Sequence, residues 1–214
     1  MGHENRKLSG EPTEETIFSF SEDTPSPHDR SGAARRLTTL RVGTIMIHGR
    51  RELCLIRNIS AGGLRAHVYS PVKEGQKVSV ELKTNQQTSG TINWVRDGNV
   101  GIAFDERIDV ADLLAAQTGT DSGWRPRMPR VEVDRLGEIR VGARIYPFNS
   151  CDISQGGVRI EIDQPLKVGE AVVLTFEKWR PIAGVVRWYE EGQGGIAFNQ
   201  VIPFQELMSW LQSR

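Results

Sequence analysis

The sequence predicts a mainly β chain: two small antiparallel six-stranded β-barrels in tandem, each followed by a short helix. Three observations carry that expectation. First, residues recur at a fixed offset: Asp152, Ser154 and Gly157 each stand 94 positions after Asn58, Ser60 and Gly63. The same offset relates Pro71 to Pro165, Lys73 to Lys167, Gly75 to Gly169, Gly90 to Gly184 and Trp94 to Trp188, without a gap. A repeat held over that length means two copies of one unit. Second, each copy alternates short apolar–polar runs with turn residues at the roughly 8–12-residue spacing of sandwiches and barrels. Third, each copy closes on an apolar stripe of helical period.

The elements follow in order. Residues 1–29 are polar and rich in Ser, Pro and Glu, a composition that predicts a disordered tail. Domain 1 is expected over 30–116, a linker over 117–124 ("QTGTDSGW") and domain 2 over 125–214. "TIMIHGRRELCLIRNIS" predicts two strands around a polar turn. "GLRAHVY" and "GVRIEID" alternate as half-buried strands do, and "KVSVELK" and "AVVLTFE" do likewise. "GTINWVRDGNVGIAFDE" and "GVVRWYEEGQGGIAFNQ" each predict a hairpin, turning at Asp97-Gly98 and Glu191-Gly192. About six strands per copy suit a closed barrel, because closure removes exposed sheet edges. The closing helices are expected from Val110, Leu113 and Leu114, and from Phe204, Leu207, Met208 and Leu211.

Composition narrows the function classes. The 214 residues hold 27 Lys and Arg against 27 Asp and Glu, so no global attraction to DNA, RNA or an anionic membrane is expected. No run approaches the roughly 20 apolar residues of a membrane span, so membrane insertion is not expected. "MGHENRKLSGEPTEET" lacks the apolar segment of a secretory signal. Cys54 and Cys151 do not correspond between the copies and form no CxxC spacing. A disulfide framework or paired metal site is therefore not expected, and a cytoplasmic location is. All four histidines lie in the first 67 residues, leaving Ser60 and Ser154 without a shared base. Neither an enzyme nor a metal or other cofactor is expected.

The chemistry concentrates in "NISAGG" and "DISQGG". Two glycines let a ligand approach the backbone, and a Ser hydroxyl with exposed N–H groups donates to anions or base edges. A carboxylate at Asp152 can accept from two neighbouring N–H groups, as on guanine's Watson–Crick edge. The same residues also suit a bare tight bend held by an Asx-turn. "RPRMPR" places Arg125, Arg127 and Arg130 immediately before the second barrel, and "RSGAARR" places Arg30, Arg35 and Arg36 before the first. Arginine forks match phosphate oxygens or guanine O6 and N7, and their flat faces stack. The candidate ligand site of domain 2 is therefore Arg125, Arg127, Arg130, Asp152, Ser154, Gly156 and Gly157. That of domain 1 is Arg30, Arg35, Arg36, Asn58, Ser60, Gly62 and Gly63. Trp94 and Trp188 read as packing residues, and Arg65 and Arg159 as solvent-facing strand arginines.

With these motifs the chain resembles two tandem PilZ domains over residues from about 30 to 214. The family signature is RxxxR followed, one strand pair later, by (D/N)xSxxG, and both turns match the second element. The resemblance implies receptors for the bacterial second messenger cyclic di-GMP, with arginines clamping guanine and phosphate and the turn holding the other base edge. It implies an effector that converts ligand binding into a change of domain arrangement or of binding to a downstream protein partner. Both copies depart from RxxxR: Arg125 and Arg130 are five apart, as are Arg30 and Arg35. Domain 2 keeps an acidic residue and a proline-stiffened arm, so it ranks above domain 1 as the ligand site. The alternative is a degenerate pair acting as a nucleotide-independent protein-interaction module.

Overall fold

The structure is a computed structural model that describes residues 15–19, 23–26, 35–39, 41–83, 86–113 and 128–213. The chain forms two compact units that follow the two repeats, except that residues 48–53 group with the second. The first contains β1 (Glu15–Ser19), β2 (Arg35–Thr39), β3 (Arg41–Ile47), β4 (Arg50–Ser60) and β5 (Gly63–His67). It continues with β6 (Lys77–Lys83), β7 (Gln86–Arg96) and β8 (Asn99–Phe104). Strands β4-β3-β6-β7-β8-β5 pair in that order, and β5 returns to β4, closing six strands. The second unit contains β9 (Val131–Val141), β10 (Arg144–Ser154), β11 (Gly157–Glu161), β12 (Ala171–Phe176), β13 (Ile182–Glu190) and β14 (Gln193–Phe198). Its closed order is β10-β11-β14-β13-β12-β9.

Alternation builds both barrels. In β11 the pattern is buried at Val158 and Ile160 with Arg159 between them facing out. The equivalent β5 buries Leu64 and Ala66 around Arg65. Branched aliphatics such as Ile56, Ile59, Ile92 and Ile102 fill the first barrel, and Ile139, Ile153, Ile160 and Ile196 the second. The two expected hairpins turn where the sequence places them. Asp97 and Gly98 have φ of 48° and 72°, and Glu191 and Gly192 have 48° and 81°. Positive φ at both central residues is the type I′ arrangement that matches strand twist.

The first unit has more strands than the sequence predicts. Residues 15–19 fall in the stretch whose composition suggests disorder, yet they form β1. This strand pairs antiparallel with β2, Ile17 opposite Leu37, and parallel with β4, Ile17 beside Asn58 and Phe18 beside Ile59. "ETIFS" carries enough β-branched and aromatic residues to join a sheet that offers an edge.

Helix α1 begins at Val110 and is described to residue 113; Val110 and Leu113 pack on the first barrel. Leu114 lies outside the described residues. Helix α2 (Phe204–Gln212) buries Phe204, Leu207, Met208 and Trp210. The expected stripe ended at Leu211, which is only half-buried. Trp210 takes the inward position because its ring stacks on Trp179 at 4.4 Å and the Arg135 guanidinium lies 4.2 Å over it. Arg135 also donates to the carbonyls of Leu211, at 3.0 Å, and Ser213, at 2.8 Å. Carbonyls at a helix C-terminus lack partners within the helix, and a cation there satisfies them.

Two outcomes follow. Arg135→Ala lowers unfolding stability in denaturant titration by about 1–3 kcal/mol, the range for hydrogen bonds made by a charged group. Burial pushes the Cys54 thiol up to about 12, so at mildly alkaline pH an alkylating agent modifies Cys54 only after unfolding.

Candidate ligand-binding site

One bulge in each copy decides which way the signature turn faces. In β10, Phe148 and Ser150 point inward, and the ladder then skips a residue between Ser150 and Asp152. Because strand side chains alternate, one extra residue reverses the phase. Ile153 now points in and Asp152 points out, beside Arg159 of β11. The first copy has the same shift between Ile56 and Asn58. A second pair of bulges, before Trp188 and before Trp94, turns those indoles onto the outer face.

The outward row in the second copy therefore reads Asp152, Arg159, Gly195, Trp188 across β10, β11, β14 and β13. Four neighbouring strands span roughly 14 Å. Gly195 has no side chain because the Trp188 indole occupies that space; a Cβ there would collide with Nε1. Trp188 is 39 % exposed.

At the other end Asp152 is gripped from two sides. Arg130 donates from Nη1 to Oδ1 at 2.7 Å, and Arg159 from Nε to Oδ2 at 2.6 Å. Arg159 also donates to Gln193 Oε1 at 3.2 Å. The hydrogen bond that Arg159 donates to Asp152 raises the Arg159 pKa above its ordinary value. The arm lies against the turn as well, for the Met128 sulfur stands 3.1 Å from where a Cβ of Gly156 would be. Two cations thus share one carboxylate at the lip of the turn, with Glu161 acting on Arg159 from the same face.

The turn itself is built from within. Ser154, nearly fully buried, donates to the Gly157 carbonyl at 3.3 Å and accepts from the Gly156 N–H at 3.3 Å. The Gln155 amide donates to the Ile202 carbonyl at 2.9 Å, anchoring the loop to the segment before α2. Neither Gly156 nor Gly157 is among the positive-φ residues. Gly157 is required for a different reason: a Cβ would collide with the carbonyl oxygen of Ile196. The same holds at Gly63 against Ile102. Asp152 pairs with arginines where an Asx-turn was the simpler expectation.

Of the residues expected in domain 2, the structure brings together Arg130, Asp152, Ser154, Gly156 and Gly157. Arg125 and Arg127 lie outside the described residues. Arg159, read from sequence as a solvent-facing strand arginine, joins the cluster. Its signal was position: two residues after the second glycine, on the strand that pairs with the bulge.

The first copy is arranged differently. Asn58 is buried, and its Oδ1 has no hydrogen-bond partner among the described residues. Arg65, the equivalent of Arg159, has a buried Nε without a partner among the described residues, and its guanidinium lies 5.9 Å over the Trp94 ring. Replacing a carboxylate by an amide removes the charge that would hold that arginine. β1 lies between β4 and β2, so Arg35 and Arg36 on β2 stand one strand further from Asn58. Arg30 is outside the described residues. Ser60, Gly62 and Gly63 do form the turn.

Among the described residues no group of three His, Cys, Asp or Glu side chains is placed to hold a metal. No described helix is long and apolar enough to cross a membrane.

The family profile described as PilZ domain matches residues 30–118 and again 125–211. The chain belongs to the PilZ domain family. Both matches contain the (D/N)xSxxG turn, and the PilZ signature thus maps onto the bulge-turned lip in each barrel. Among solved structures the chain is similar to Borreliella burgdorferi PlzA in complex with c-di-GMP, at 14% identity and a TM-score of 0.36. That match covers 79% of this chain and 85% of PlzA. It is also similar to the Bacillus subtilis inhibitor of motility MotI/DgrA, at 14% identity and a TM-score of 0.33, covering 81% and 96% of the two chains. Escherichia coli YcgR in complex with c-di-GMP matches at 12% identity and a TM-score of 0.33, covering 78% and 80%. No curated protein matches the chain.

The two notch glycines are separable by experiment. Gly157→Ala lowers stability by about 1–3 kcal/mol, the usual range for overpacking against a fixed neighbour. Gly156→Ala meets only the flexible end of Met128 and changes stability by less than about 0.5 kcal/mol. Thermal melts of the two variants provide the comparison.

Proposed function

We propose that the protein is a receptor for cyclic di-GMP and that the second copy is the site that takes it. The observation that carries this reading is the convergence of Arg130 and Arg159 on Asp152 at the lip of the Gly156-Gly157 turn. Membership of the PilZ family supports the ligand class.

The chemistry of exchange is favourable. A guanine edge presents two adjacent N–H donors, which a carboxylate accepts in parallel. The same ligand presents O6, N7 and phosphate oxygens, which arginine forks take up. When the base arrives at Asp152, the arginines released from it find phosphate or base acceptors nearby, so few polar groups lose partners. Because Asp152 is already oriented and the turn is fixed from beneath, little ordering is left to the moment of binding. Met128 and Arg130 belong to the arm that the ligand must displace or recruit. That arm continues from the 117–124 connector, so ligand state passes to the arrangement of the domains or to a downstream protein partner.

The first copy lacks the acidic acceptor and the adjoining arginine strand, which ranks it second. A nucleotide-independent interaction module is the alternative, favoured by the five-residue arginine spacing in both copies. It predicts a protein whose partners depend on the α2 surface and ignore nucleotide.

Isothermal titration of the full chain decides between them. The receptor reading expects saturable heat, with Asp152→Ala and Arg130→Ala each weakening affinity by about tenfold or more, the worth of one charge-assisted hydrogen bond. Asp152→Asn, which makes the second turn read as the first does, weakens it similarly. Absence of heat together with absence of competition against a labelled ligand overturns the receptor reading.

A further inference from the structure

The first copy's notch is not empty of polypeptide. We propose that it is a binding site for an extended peptide, that its occupants are this chain's own residues 15–19 and 23–26, and that this occupancy keeps cyclic di-GMP out of the first copy.

The evidence begins with the sheet. In the second copy, β9 runs alongside β10 to its end, with Glu132 opposite Asp152 and Val131 opposite Ile153. By the repeat, Thr38 and Leu37 belong opposite Asn58 and Ile59. They are not there. Ile17 and Phe18 of β1 take those places in parallel, while Thr38 and Leu37 pair with Thr16 and Ile17. A strand from the N-terminal segment has been inserted between the barrel and its own leading strand.

Beyond β1 the chain crosses the turn itself. Ser60 donates its hydroxyl to the Asp23 carbonyl at 2.7 Å. Thr24 donates to the Gly62 carbonyl at 3.4 Å, and the Trp94 indole donates to the Pro25 carbonyl at 3.1 Å. Thr24 Cγ2 packs where Gly63 lacks a side chain, 2.9 Å from a notional Cβ, and Pro25 is buried. The recognition chemistry is that of strand addition followed by backbone carbonyls reading fixed donors. Each residue of the turn that recurs in the second copy is engaged: the Asn58 position by β1, Ser60 by Asp23, both glycines by Thr24 and Trp94 by Pro25.

Thr24 and Pro25 take up the notch at Gly63 and Trp94, and β1 stands between β4 and the strand that carries Arg35 and Arg36. The occupancy stands on these contacts alone; the exclusion of the dinucleotide rests also on the receptor reading.

The test uses the full chain, isotopically labelled, and follows the Trp94 indole N–H and the Ser60–Leu64 amides by hydrogen exchange. The comparison is with Ile17→Pro/Ser19→Pro, since proline inside a strand removes ladder donors. Expected is slow exchange of the Trp94 indole in the wild type and acceleration by about tenfold or more in the variant, the loss of roughly one hydrogen bond's protection. The Trp188 and Trp210 resonances report that the second barrel remains folded. Equal Trp94 exchange in the two chains overturns the proposal. Should the double proline unfold the first barrel, Ser60→Ala, which deletes the Asp23 contact, gives the same comparison.

A second arm titrates the labelled wild type with cyclic di-GMP. Movement of Trp188 with Trp94 and Ser60–Leu64 unmoved supports exclusion. Movement of the first-copy resonances overturns it. Movement of neither set refutes the receptor reading and leaves the exchange comparison to decide occupancy.

Discussion

A single additional residue in β10 sets the face on which this protein meets its surroundings. With Cys151 bulged out of the ladder, the strand's phase reverses, and Asp152 emerges where an inward carboxylate would otherwise be buried in an aliphatic barrel. An uncompensated buried carboxylate is costly enough that the barrel would not tolerate it. Turned outward it meets Arg159 across one strand pair and Arg130 from the arm, and the three charges meet at one point of the outer face. The Trp188 bulge does the same for the far end of the row. Cys151 and Arg57 differ in chemistry because a bulged residue has no partner to match.

The two copies differ by one charge at the lip of the turn. Exchanging a carboxylate for an amide at Asn58 removes the charge that holds the strand arginine, and Arg65 lies over the indole of Trp94 instead. With the attraction between arm and turn weakened, the seam beside Asn58 can accept another strand, and β1 pairs with β4 there. In the second copy β9 fills that seam over its whole length.

Features with local causes were legible in the sequence. The hairpin turns at Asp97-Gly98 and Glu191-Gly192, the alternating strands and the inward positions of Val110, Leu113, Phe204, Leu207 and Met208 depend on residues close in the chain. The (D/N)xSxxG turn was legible too, although its glycines answer to a neighbouring strand's carbonyl more than to their own dihedral angles. What escaped depended on distant partners. Nothing in "GVRIEID" announces that Arg159 faces a carboxylate, because the bulge that aims Asp152 belongs to another strand. Trp210 displaced Leu211 from the buried stripe because Trp179 and Arg135 prepared a place for its ring. β1 escaped because a polar tail gains strand structure only from the edge it finds.

An internal occupant has an advantage that contacts alone do not express. A segment joined to its site by a short connection acts at an effective concentration of about millimolar. A free ligand present at micromolar concentration faces a thousandfold handicap, about 4 kcal/mol, before any contact is compared. A competing ligand can offset that only with charge-assisted bonds, and the first copy has Asn58 where the second has the Asp152 carboxylate. The inserted strand and the lost charge therefore reinforce each other. Restoring the carboxylate alone leaves β1 in place, and removing β1 alone leaves a turn without its acceptor.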